Sequence, residues 1–164
     1  MNSSIIKKFN NEIKYAVKSF SSLGSYPVFL LIILFLFKVN LNKEALILFI
    51  AFILLYVLGL PIRSTFFKNR QNPAHHAQIY ENFKNIRFSS FPSFHTTRVI
   101  ILSLMIIEIF NYSLETILLT LIVSILVCYS RILLQRHYPS DIFGGIIFGV
   151  LLWIVSTSIV YIVI

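Results

Sequence analysis

Acidic residues are what this chain has least of. Its 164 residues include six, and only one of them, Asp141, is an aspartate, against 14 Lys and Arg. Charged residues of both signs reach 12%, about half the share of an ordinary soluble domain. With 57% hydrophobic residues and a mean hydropathy of +0.85, so small a soluble protein could not hide its apolar surface, which excludes a water-soluble globule. Lipid is therefore the solvent. The single cysteine, Cys128, lies in an apolar run, which excludes an intramolecular disulfide and marks it as a small buried hydrophobe. Internal repeats and low-complexity linkers are also missing, so residues 1–164 read as a single membrane-embedded domain.

The positive excess gives a net charge of +8. Exposed lysines on such a chain are drawn to anionic headgroups. Arginines present planar forks that match phosphate oxygens. Nucleic acid is not an expected partner, because the basic residues fall between apolar segments and not along a soluble face.

Over residues 3–20, Ile5, Ile6, Phe9, Ile13, Ala16, Val17 and Phe20 share one side at helical spacing. Lys7, Lys8, Asn11, Lys14 and Lys18 share the other, the pattern of an uncleaved amphipathic helix lying in the membrane plane. Five apolar spans follow, at 23–39, 45–60 closed by Pro61, 94–110, 116–134, and from Pro139 or Asp141 to the C-terminus. The expected fold is all-α, an integral membrane bundle of about five transmembrane helices behind an in-plane helix. Gly145 and Gly149 are four apart on the last helix, a spacing that suits close helix packing.

Five spans fix which loops are neighbours whatever the orientation. The loop 61–93 and the hairpin 130–141 lie on one membrane face, and only short turns and the C-terminus lie on the other. Three polar groups converge there: Arg63 and Arg70 with Lys68 between them, Pro92-Ser93-Phe94-His95, and Ser130-Arg131 followed by His137 and Asp141. Ser93 suits an N-cap and Pro139 a first helical turn, so two helix N-termini face the arginines. Such a cradle suits a phosphoryl group. A neutral imidazole beside the only aspartate can attack phosphorus, and a second histidine can protonate the leaving oxygen. Ser93 and Asp141 are equally readable as plain helix caps. His75, His76, His95 and His137 offer four nitrogens to a metal, but Glu81 is the only other acid in these loops and zinc spacings are missing, so neither metal nor cofactor is expected.

These groups resemble the motifs of the type 2 phosphatidic acid phosphatase superfamily: K-x6-R-P, P-S-G-H and S-R-x5-H-x3-D. Ser130, Arg131, His137 and Asp141 match the third in full. In the second, Phe94 replaces glycine; in the first, Arg63 replaces lysine and Gln71 replaces proline. The resemblance implies a metal-independent lipid phosphatase working through a phosphohistidine. His137 is then the nucleophile, Asp141 its orienting partner and His95 the acid for the leaving group. Arg63, Arg70, Ser93, the Phe94 backbone N–H and Arg131 then hold the phosphate.

The resemblance further implies a bacterial inner-membrane protein whose site faces outward, although the Lys-rich N-terminus lies on the same side, against the positive-inside tendency. The expected substrate is a membrane lipid phosphate, first undecaprenyl diphosphate, then the 1-phosphate of lipid A or phosphatidylglycerol phosphate. A lipid phosphotransferase and an inactive lipid-binding or transport member are the alternatives.

Overall fold

The computed structural model describes residues 12, 15–66, 68 and 89–163. Among these there are six helices and no strand: α1 (Tyr15–Ser22), α2 (Tyr26–Lys38), α3 (Asn42–Thr65), α4 (Phe94–Ile109), α5 (Leu114–Leu133) and α6 (Pro139–Val163). The expected in-plane helix lies mostly outside the described residues. Its visible end, α1, meets α2 at a bend of 46°. Turn bonds from the Gly24 and Ser25 amides to the Ser21 and Ser22 carbonyls shape this elbow, and Pro27 in the first turn of α2 restarts the helix.

By length and composition α3, α5 and α6 are each able to cross a membrane, and the bent pair α1–α2 makes a fourth candidate. The central helix α4 has 16 residues, about 24 Å at the α-helical rise. Eight of those residues are buried, and α2, α3, α5 and α6 all pack against it, so neighbouring protein supplies much of its surroundings. The core runs from Phe29 and Ile33 on α2 through Leu48, Ala51 and Leu55 on α3 to Ile101 and Met105 on α4 and Leu152 on α6. On α5, Leu118, Ile122, Ile125 and Tyr129 face outward, as a lipid-bathed helix requires.

One boundary differs from the expectation. Pro61 does not close the second span; α3 continues through it to Thr65. Beyond the proline, the Ser64 and Thr65 hydroxyls donate to the Pro61 carbonyl at 2.7 and 3.0 Å, and Arg63 is anchored to a distant carbonyl. The Arg63 bond ties the last turn beyond the proline to the Pro92 carbonyl. Arg63 is therefore a buried helical residue and not the first residue of the loop.

The glycines on α6 do let α4 close in. A Cβ on Gly145 would come within 2.8 Å of the Ser93 carbonyl oxygen and 2.9 Å of the Thr96 Cβ, and one on Gly149 within 3.0 Å of the Thr97 carbonyl oxygen. The Thr97 hydroxyl lies 3.1 Å from both the Ser93 and Gly145 carbonyl oxygens and bonds across the interface. Gly145→Ala is expected to destabilise the fold by about 1–3 kcal/mol through overpacking against backbone. Gly144→Ala meets only the edge of the Phe91 ring and is expected to cost less. Thermal unfolding of the two variants in detergent, followed by circular dichroism, checks the order.

Candidate active site

The end of α3 and the starts of α4 and α6 meet at one end of the bundle, as span counting requires. Their junction is a backbone bond: the Ser93 N–H donates to the Asp141 carbonyl at 3.0 Å. Ser93 also caps α4, its hydroxyl accepting from the Thr96 N–H, while the Thr96 hydroxyl donates to it at 3.1 Å. Asp141 sits in the first turn of α6 and reaches back with Oδ2 to the Tyr138 N–H at 2.8 Å, the acidic half of a capping box. Both residues are thus caps, and both are at the junction. The two readings that the sequence leaves open are compatible in one geometry.

His137 follows from the way α5 ends. The Gln135 N–H bonds back to the Ile132 carbonyl and the Arg136 N–H to the Arg131 carbonyl, a Schellman termination with Gln135 at φ 52°. The chain turns sharply enough to bring His137 to the first turn of α6. Its Nδ1 lies 3.7 Å from Asp141 Oδ2, with both side chains buried. That is an ion-pair separation slightly long for a hydrogen bond, and it leaves Nε2 as the nitrogen turned away from the carboxylate.

The other carboxylate oxygen is also engaged. Lys68 Nζ is 3.2 Å from Asp141 Oδ1 and 2.7 Å from the Ser140 hydroxyl, over the Tyr138 ring at 4.3 Å. The Ser90 hydroxyl bonds this carboxylate as well and lies 3.1 Å from the Lys68 carbonyl.

Arg63 and Phe94 form a stacked unit. The guanidinium carbon sits 3.5 Å from the Phe94 ring centroid, and Nη2 donates to the Pro92 carbonyl at 2.8 Å. Phe94 continues into an edge-on contact with Tyr56 at 5.7 Å between centroids. Its ring fits because α3 carries Gly59 opposite, where a Cβ would come within 2.6 Å of Phe94 Cζ.

Arg131 is buried near the end of α5 and donates from Nη1 to the Ser21 hydroxyl at 2.6 Å. One turn beyond His95, buried Arg98 donates from Nε to the Gly24 carbonyl at 2.8 Å and from Nη1 to the Tyr56 hydroxyl at 3.3 Å. Gly24 in turn presses on His95, with a Cβ there only 2.8 Å from the His95 carbonyl oxygen. The α1–α2 elbow is therefore a wall of the site, gripped by arginines from α4 and α5.

The structure thus gathers Arg63, Ser93, Phe94, His95, Arg131, His137 and Asp141 at one end of the bundle. Arg70, Gln71, His75, His76 and Glu81 lie outside the described residues. Two participants escape the sequence reading, Ser21 and Arg98, and Lys68 is grouped there with Arg63 and Arg70 but given no role. Arg98 has a signal, since a cation inside an apolar span is costly unless used. Ser21 has none, and nothing local in the sequence assigns Lys68 to Asp141, because each contact joins distant segments. Among the described residues no group of three or more His, Cys, Asp or Glu side chains is arranged to hold a metal ion.

A sequence profile of the PAP2 superfamily matches residues 44–163, which covers all the described motif residues. The crystal structure of Aquifex aeolicus LpxE superposes with a TM-score of 0.70 at 23% identity, covering 96% of this chain and 94% of that one. At that identity the likeness establishes the fold. Curated protein sequences give no significant match.

Restoring the motif glycine tests the Arg63–Phe94 unit. Phe94→Gly removes a buried ring from between Arg63, Tyr56 and Gly59 and is expected to cost about 3–5 kcal/mol of stability. Denaturant unfolding in mixed micelles measures it; a variant as stable as the parent would show that the ring contributes little to the packing.

Proposed function

The chain belongs to the PAP2 superfamily, and we propose that it is a lipid phosphatase that hydrolyses a membrane lipid phosphate without a metal, through a phosphohistidine. The observation that carries this reading is the buried His137–Asp141 pair at the start of α6, joined through backbone to the capped start of α4. With Nδ1 turned to Asp141, Nε2 is the nucleophile. It attacks phosphorus, and the P–O bond to the lipid breaks. His95 gives its proton to the leaving oxygen. Asp141 stabilises the positive charge that develops on the His137 ring. In the second step, water attacks the phosphohistidine, the P–N bond breaks and His95 takes the water proton. Phosphate leaves, and both histidines are neutral or protonated as they began.

Arg63, Arg131 and, from outside the described residues, Arg70 supply the positive charge for the phosphoryl oxygens, with the first-turn amides of α4. The burial of Arg63 and Arg131 favours this role, because a guanidinium in a low-dielectric site acts on phosphate more strongly than one in water. Undecaprenyl diphosphate is the leading substrate candidate, with the 1-phosphate of lipid A and phosphatidylglycerol phosphate next. We place the site on the extracytoplasmic face of a bacterial inner membrane, which puts the C-terminus in the cytoplasm.

Purified protein in detergent is expected to release phosphate from lipid phosphates in the presence of EDTA and to be inhibited by vanadate. His137→Ala is expected to abolish turnover and the acid-labile phosphoenzyme that quenched reactions trap. His95→Ala is expected to lose about 10²–10⁴-fold in turnover. Full activity in His137→Ala would sink the phosphohistidine mechanism. A C-terminal reporter active only in the cytoplasm tests the orientation.

A further inference from the structure

The contacts of Lys68 are unusual for a lysine on a loop. Its backbone is pinned at both ends: the Ser90 N–H donates to its carbonyl at 2.8 Å, and its own N–H reaches the Ser89 hydroxyl at 3.4 Å. Its ammonium group then lies on Asp141 Oδ1, on the Ser140 hydroxyl and over the Tyr138 ring. The lysine side chain is 39% exposed, whereas the carboxylate it covers is 0% exposed and His137 is 2% exposed. An ammonium thus caps the solvent side of an otherwise buried pair.

A buried carboxylate beside an imidazole, acting alone, favours the imidazolium, because opposite charges attract. An imidazolium has no lone pair on Nε2 with which to attack. A cation on the far oxygen acts in the opposite sense. We propose that Lys68 is a positioning residue that acts through Asp141, holding the carboxylate toward His137 while its charge keeps the imidazole neutral and nucleophilic. This rests on the phosphohistidine reading for its catalytic consequence, but not for the titration itself. Among the described residues, the other charged groups that neighbouring elements bring to this end are Arg63 from α3, His95 and Arg98 from α4, and Arg131 and Arg136 from α5 and the hairpin. The Lys68 variants keep all of these groups in the sequence and change only the charge that lies on Oδ1.

The test is nitrogen-15 NMR titration of the His137 ring in the full-length protein in detergent, with the resonance assigned by its loss in His137→Gln. In Lys68→Met the protonation midpoint of His137 is expected to rise by about one pH unit, the scale of one partly screened charge at this range. In Lys68→Arg it is expected to stay at the parent value, because the charge is kept. The acid limb of kcat against pH should move up with the Met variant, with KM for lipid phosphate unchanged. A Met variant that titrates like the parent overturns the proposal, as do Met and Arg variants shifted alike, which would report a structural effect. A raised KM with an unmoved pH profile would make Lys68 a substrate contact and also overturn it. Because the ring is read directly, these outcomes stand apart from any failure of the lipid phosphatase reading, which would appear as an inactive parent protein.

Discussion

The Asp141 carboxylate lies fully buried in the first turn of a membrane-spanning helix, and the elements around it are placed so that it is never left alone. An isolated carboxylate in such a medium is costly, and deleting a partner of a buried charge is more damaging than never having the pair. Here the partners come from two separate stretches: Tyr138 and His137 from the hairpin, which also holds Lys68 through Ser140, and Lys68 and Ser90 from the segment joining α3 to α4. The backbone of the same residue accepts from Ser93, so the starts of α4 and α6 cannot separate without breaking the site. The constraint reaches into the bundle as Gly145 and Gly149, which bring α6 close enough for that bond to form.

Helix α4 converts this local constraint into an architecture. It touches every other long helix, and its first two turns carry Ser93, Phe94, His95, Thr96, Thr97 and Arg98 on different sides. Successive residues of a helix point about 100° apart, so one short segment can address α3 through Phe94, α6 through Thr97 and the elbow through Arg98. Polar residues crowd this one end of an otherwise apolar core because the bundle is closed there by hydrogen bonds and not by apolar packing alone.

Much of this was legible in the sequence. The apolar spans, their order and the convergence of the two polar segments on one face follow from hydropathy and counting. The hairpin residues His137 and Asp141 stand out because ionisable groups are rare in such a chain. What was not legible depended on contacts between distant segments. Hydrophobic periodicity says nothing of Lys68 reaching Asp141 across 73 residues, or of Arg131 reaching Ser21 across 110. Pro61 differs from the expectation for another reason: proline costs a helix one backbone bond, and the bond that holds the turn beyond it, Arg63 to the Pro92 carbonyl, is tertiary and has no local sequence signal.

Two of the three departures from the family motifs, Arg63 for lysine and Phe94 for glycine, look independent in the sequence but are one contact in the fold. A planar guanidinium lies flat on an aromatic face, an arrangement that a lysine ammonium does not reproduce in shape. The ring has room only because Gly59 faces it, and it hands the contact on to Tyr56, which also accepts from Arg98. A site that was drifting out of use would accumulate substitutions that leave neighbouring groups unsatisfied. Here both of these changes are answered: the ring by a glycine across the interface, the guanidinium by the ring and the Pro92 carbonyl. Beside them, the His137–Asp141 pair stands 3.7 Å apart at the start of α6. That reciprocity favours a working phosphate site with an altered wall over an inactive relic of one.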